Sequence, residues 1–247
     1  MNEIYTLAQR RWTIASRLFM VVAVLLVLDI IMEYLKHETG RDFVFGLVRL
    51  FDVDGEANIP SLFSTLLLMS SGILLWLISG EEKNRGGRDA GRWKVLAVVF
   101  LYLAVDEAAV LHELFIVPGG ELLGKDRWGI FNFAWVIPYS VLVLVLGIYF
   151  IGFFLRLPAV TKVRFLLAAV LFVGGSLGFE FIEGVVAKAQ SENSTTYWVL
   201  TVIEEGMEMA GVIVFIHALL EYIAVTLNGE VAASAPLVVA EAERVSD

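Results

Sequence analysis

Ten carboxylates fall inside stretches that are otherwise apolar enough to cross a bilayer: Asp29, Glu33, Asp106, Glu107, Glu113, Glu180, Glu183, Glu204, Glu205 and Glu208. His112 stands among them, and no lysine or arginine lies deep inside any of these stretches. An ionised Asp at the centre of a membrane helix costs about 2.5–3.5 kcal/mol on insertion scales. Three things can offset that cost: a proton on the carboxyl, water in a pocket open to one side, or a bound metal cation. The three can act together.

A bound divalent metal accounts for most of the pattern. Carboxylates and imidazoles on facing helices are the ligands of di-metal bundle sites. The candidate ligands are Asp29, Glu33, Asp106, His112, Glu113, Glu180, Glu183, Glu204, Glu205 and Glu208, which leaves Glu107 as the candidate general acid or base. The Glu-x-x-His spacing of di-iron bundles is absent, since Ala109 stands three before His112. Oxygen-rich ligands suit magnesium, calcium or manganese, and an imidazole admits iron or zinc. The chain has no cysteine, which excludes disulfides and thiolate sites and disfavours copper(I).

Spacing assigns these groups to faces. Asp29, Glu33 and His37 are spaced i, i+4, i+8 and share one helix face. Asp106 and Glu113, seven apart, align on a continuous helix, with His112 and Glu107 on either side. Glu180 and Glu183 are neighbours at i, i+3, and Thr201 lies on the side of Glu204, Glu205 and Glu208. His217, one turn before Glu221, lies apart from the acids.

The elements that must position them are membrane helices. The 247 residues are 58% hydrophobic, with a mean hydropathy of +0.78, against roughly 45–50% apolar in soluble domains. The excess is concentrated in runs of the length, about 20 residues, that spans a bilayer core. The expected fold is all-α, a polytopic bundle with spans near 17–36, 60–80, 94–117, 129–155, 162–187 and 197–226. Residues 1–227 form one membrane domain and 228–247 an acidic, disordered tail. The first run is longer than a signal-peptide core and lacks a small-x-small cleavage pattern, so it is read as a retained helix.

Eleven basic residues flank one side of these spans: Arg10, Arg11, Arg17, Lys83, Arg85, Arg88, Arg92, Lys94, Arg156, Lys162 and Arg164. The positive-inside rule then puts both termini in the cytoplasm. The acids come late in spans running outward and early in the last span, which runs inward. At about 1.5 Å per residue, all ten carboxylates lie roughly 4–17 Å below the outer surface.

Smaller features carry structural expectations. Gly174 and Gly178 form a G-x-x-x-G pair with Gly175 beside it, the small-residue pattern that lets membrane helices approach closely. Ser176 and Gly184 lie one turn either side of Glu180. Residues 43–51 form an interfacial helix or a loop packed on the bundle. Asp52 and Asp54 do not match the EF-hand spacing. Asn58 before Pro60 reads as a helix start, and Glu56 and Asn58 sit at the mouth of the second span.

Two segments together, Glu56-Ala57-Asn58-Ile59-Pro60 and Asp106-Glu107 through His112-Glu113, resemble motifs of uncharacterised bacterial multi-pass membrane proteins. The resemblance covers a small part of the chain. It implies a bacterial inner membrane and transfers no activity.

The net charge of −9 argues against nucleic acid as a partner. The expected partners are the bilayer, a lipid or lipid-linked substrate, or other membrane subunits. The leading expectation is a metal-dependent membrane enzyme acting from the outer side. The alternatives are a cation- or proton-coupled transporter and a non-catalytic subunit or sensor. No span has an interior lysine, which disfavours retinal-type chemistry.

Overall fold

The computed structural model describes residues 2–40, 46–115 and 132–228, except the side chains of Asn2, Glu113 and Phe115. The described residues form helices and turns with no strand. Among the described residues, five helical stretches are long and apolar enough to cross a membrane, which marks the chain as a membrane protein: Arg11–Thr39, Ile59–Asn84, Val136–Arg156, Ala159–Ala189 and Thr195–Leu227. Helix is what the bilayer demands, because each backbone polar group must be satisfied within its own segment. The acidic tail of 229–247 and residues 43–45 of the first loop lie outside the described residues.

The chain begins with a short helix, α1 (Asn2–Gln9), and a long one, α2 (Arg11–Thr39), which ends at Gly40 in the left-handed region. A one-turn helix, α3 (Leu47–Phe51), packs back on α2 with Val48 buried. Next comes α4 (Ile59–Asn84), begun by a capping box. Asn58 Oδ1 accepts from Ser61 N, Ser61 Oγ accepts from Asn58 N, and Pro60 occupies the first turn. Asn58 also ties down the preceding loop through Nδ2, which donates to Asp52 O at 2.6 Å and Arg49 O at 3.2 Å.

α5 (Ala90–Ala109) runs antiparallel to α4 as the sixth long helix of the bundle. Ser79 Oγ donates to Ala90 O at the tight end. Midway, Gly72 makes room for Leu101, whose side chain lies 2.7 Å from where a Cβ would stand. The sequence expects this helix to continue to residue 117. It stops at Ala109 because Val110 adopts φ 56°, and His112–Phe115 form a 3-10 turn instead. Asp106 caps the break: its carbonyl also accepts from Leu111 N, and its carboxylate Oδ1 accepts from His112 N at 2.7 Å. The expected alignment of Asp106 and Glu113 on one helix face is therefore corrected, because the helix is broken between them.

α6 (Val136–Arg156) connects through Pro158 to α7 (Ala159–Val173). A π-helical stretch, Gly174–Phe179, leads from α7 into α8 (Glu180–Ala189). α9 (Thr195–Glu221), N-capped by Ser194, passes through the middle of the bundle and is the most buried helix. It ends in a second π stretch, Tyr222–Leu227.

Close packing of α9 on α7 depends on two glycines. A Cβ at Gly211 would meet Phe172 N at 2.7 Å and Ala168 O at 3.0 Å. A Cβ at Gly175 would meet Glu204 O at 3.0 Å. The expected G-x-x-x-G pair does not make the contact: a Cβ at Gly178 meets nothing within 4 Å, and one at Gly174 only Met207 Cε at 3.7 Å. Gly175, one position on from Gly174, faces α9 instead.

The two ends of the bundle differ in charge. At one end Asp89 binds Arg156, with contacts of 2.5 and 2.9 Å, and Arg92 at 2.9 Å. Arg164 pairs with Glu221 at that end, and Arg85 with Glu81. His217 packs at a tilt against Trp12 with ring centroids 4.3 Å apart, away from the intramembrane acids. The opposite end gathers those acids.

Candidate functional site

The carboxylates meet because the late turns of α5 and α8 and the early turns of α9 lie at the same end. Glu180, Glu183 and Glu204 form the tightest group, with one carboxylate oxygen from each lying within 4.8 Å of the others. The π stretch stops at Glu180, so it sets the rotation that turns Glu180 and Glu183 toward α9. Gly175 brings the two backbones close enough for Glu204 to reach them.

Neutral donors fix two of these acids. Trp135 Nε1 donates to Glu180 Oε1 at 3.1 Å. Thr201 Oγ1 donates to Glu183 Oε1 at 3.1 Å. Glu183 is 1% exposed and Glu204 7%. Glu204 Oε2 is buried with no N–H or O–H donor among the described residues, and the Glu204 carboxyl lies at hydrogen-bond distance from that of Glu183. Three carboxylates this close cannot all stay ionised unless a positive charge joins them, either a proton shared between two of them or a bound cation. The donor set is all oxygen, which suits a hard divalent ion.

The trio opens on a cavity of about 1050 Å³. Around its acidic end lie Asp54, Glu56, Asp106, Glu107, Glu180, Glu183, Glu204, Glu205 and Glu208, with His112. No lysine or arginine is among the described residues that line it. Asp106 is buried, accepting from His112 N and from the Tyr139 hydroxyl at 2.9 Å. Tyr102 and Tyr139 hydroxyls are 2.9 Å apart and extend this chain. His112 Nδ1 lies 3.6 Å from Asp106 Oδ1, and its ring packs on Trp135 with centroids 5.0 Å apart.

Of the remaining expected ligands, some share the cavity and others do not. Asp29 is buried with both oxygens engaged: Val53 N donates to Oδ1 and Trp198 Nε1 to Oδ2, each at 3.1 Å. It joins α2, the loop after α3, and α9, and it does not line the cavity. Glu33 pairs with Lys36 at 3.0 Å, one turn on, at the rim. His37 is exposed. Glu205, Glu208 and Glu107 line the cavity and are half-buried. The side chain of Glu113 lies outside the described residues.

Sequence reasoning passed over Trp135, Tyr139 and Trp198, which hold the carboxylates in place. Their one sequence signal is a Trp or Tyr near the end of an apolar run, which ordinarily marks a membrane interface.

A family model described as a domain of unknown function (DUF8692) matches residues 16–223, and the chain belongs to that family. No curated protein and no solved structure matches the chain.

Proposed function

We propose that this family member is a divalent-metal-dependent membrane enzyme acting on a lipid or lipid-linked substrate that reaches it from the outer leaflet of a bacterial inner membrane. The observation that carries this reading is the trio Glu180, Glu183 and Glu204, whose carboxylate oxygens gather at one point with no N–H or O–H donor to Glu204 Oε2 among the described residues. A divalent cation held there would polarise a substrate oxygen or lower the pKa of a bound water. Glu107 lines the same cavity without being one of the trio, which suits it to exchange a proton as general acid or base. Asp106 and Tyr139 orient the wall next to it.

The wall chemistry favours an enzyme over a transporter. Toward the basic end, beyond the Tyr102–Tyr139 pair, the described lining residues are apolar or aromatic. A desolvated cation moving that way would find no ligands.

Elemental analysis of protein purified without chelators tests the metal site, with Glu204→Gln and Glu183→Gln beside the wild type. The reading expects near-stoichiometric divalent metal in the wild type and at least a tenfold loss of affinity in each variant. Metal-free wild-type protein, or metal unaffected by either substitution, would overturn it.

A further inference from the structure

The cavity does not end at the acids. It continues toward the basic end between α6, α7 and α9, where Leu146, Phe150, Phe153, Phe165, Phe172 and Phe215 line it. Counted along α6 from Trp135 to Phe153, that is roughly 27 Å at 1.5 Å per residue, room for one extended acyl chain below its head group.

α6 is pinned at both ends of this space. At the acidic end, Trp135 binds Glu180 and Tyr139 binds Asp106. At the other end, Phe153 packs edge-on against Trp93 with centroids 4.9 Å apart, and Arg156 binds Asp89. Between these anchors the helix borders the cavity.

Water is a poor occupant for the apolar part, because a buried water needs two to four polar partners. An empty space of this size would forfeit the dispersion contacts of its lining. Hydrocarbon satisfies both constraints. At the acidic end, the carboxylates of Glu107, Glu180, Glu183, Glu204, Glu205 and Glu208, with no lysine or arginine among the described lining residues, favour a polar end that is positive or carries a cation.

We infer that the cavity between α6 and the rest of the bundle takes one hydrocarbon chain of a membrane phospholipid, with the head group at the acids and the chain end at the phenylalanine floor. This rests on the proposed metal site only for how the head-group phosphate is held, bridged by the cation. The walls that receive the chain are independent of the metal.

The test uses a phospholipid carrying a photoreactive diazirine near the end of one acyl chain, mixed into phosphatidylethanolamine and phosphatidylglycerol vesicles containing the full-length protein. Labelling sites are then mapped by mass spectrometry. The expected result is labelling at Leu146, Phe150, Phe153 and Phe165 in addition to the exposed Leu144 and Leu155.

Gly147→Trp fills the cavity from its wall. A Cβ at Gly147 meets nothing within 4 Å, so the backbone accommodates a side chain there. This variant, and Ala169→Phe from α7, should cut the inner labelling at least fivefold and leave Leu144 and Leu155 labelling unchanged. Labelling confined to Leu144 and Leu155 in the wild type, or inner labelling indifferent to both variants, would overturn the inference. Metal measured on the same samples separates the two proposals. Inner labelling in metal-free wild-type protein sinks only the metal site, and bound metal without inner labelling sinks only the lipid chain.

Discussion

The indole N–H of Trp135 meets Glu180 Oε1 at 3.1 Å, across the gap between the start of α6 and the start of α8. One hydrogen bond thus serves two purposes. It aims a candidate ligand, and it pins one end of the helix that walls the cavity. Trp135→Phe keeps most of the ring and deletes the donor. Loss of a partner that orients a metal ligand typically costs 10–100-fold in affinity. Metal titration of the Trp135→Phe protein should fall in that range, and an unchanged affinity would mean that Glu180 needs no orienting.

Thr201 offers a cleaner deletion. Thr201→Val is nearly isosteric and removes the hydroxyl that reaches Glu183 Oε1. Metal affinity should fall about tenfold or more, while thermal stability changes little. If the substitution lowered stability strongly and spared the metal, the hydroxyl would be serving packing alone.

Asp29 should behave in the opposite way. Its carboxylate satisfies the Val53 amide and the Trp198 indole, and it stands apart from the cavity. Asp29→Ala leaves the buried Val53 amide and the part-buried Trp198 indole unpaired, worth roughly 2–5 kcal/mol together. Denaturation should show that loss with metal content unaltered. A loss of metal at preserved stability would put Asp29 back among the ligands.

Two glycines separate close approach from mere frequency. Gly211→Ala drives a methyl group against the backbone of α7, at 2.7 Å from Phe172 N, whereas Gly178→Ala adds one into open space. The first should destabilise by about 1–3 kcal/mol, and the second should be neutral or slightly stabilising. Unfolding midpoints of the two proteins, measured side by side, decide the matter.

Asp89 makes the pH-dependent prediction. It lies in the turn between α4 and α5, and hydrogen bonds from Arg156, helped by Arg92, hold its carboxyl below the usual 3.8. A carboxyl whose pKa is lowered on folding contributes stability above its unfolded value, and that contribution is lost as pH falls through the lower folded value. Asp89→Asn should therefore lower the unfolding midpoint by roughly 1–3 °C at neutral pH. The difference should shrink below about pH 4. A gap between the two proteins that widened in acid would contradict this sign.

The sequence made the helices legible because the apolar runs match the bilayer thickness. It also placed Glu180, Glu183 and Glu204 at one end, since the acids fall late in one span and early in the next. What it could not show came from breaks in helical period. α5 breaks after Ala109, with Asp106 capping the break, so counting by sevens to Glu113 fails. The backbone departs from α geometry between Gly174 and Phe179, and the close contacts are made by Gly175 there and by Gly211 on α9, not by Gly174 and Gly178. The roles of Trp135 and Trp198 depend on partners 45 and 169 residues away, and no local pattern encodes such distances.

α6 is fastened at its first turn and its last and borders open space between. A strut held at both ends bows before it detaches. Gly147 and Gly152 lie in the unsupported stretch, where the helix is easiest to bend. If a lipid chain enters the cavity as proposed, flexure of this helix is the movement that would widen or narrow its path from the surrounding bilayer.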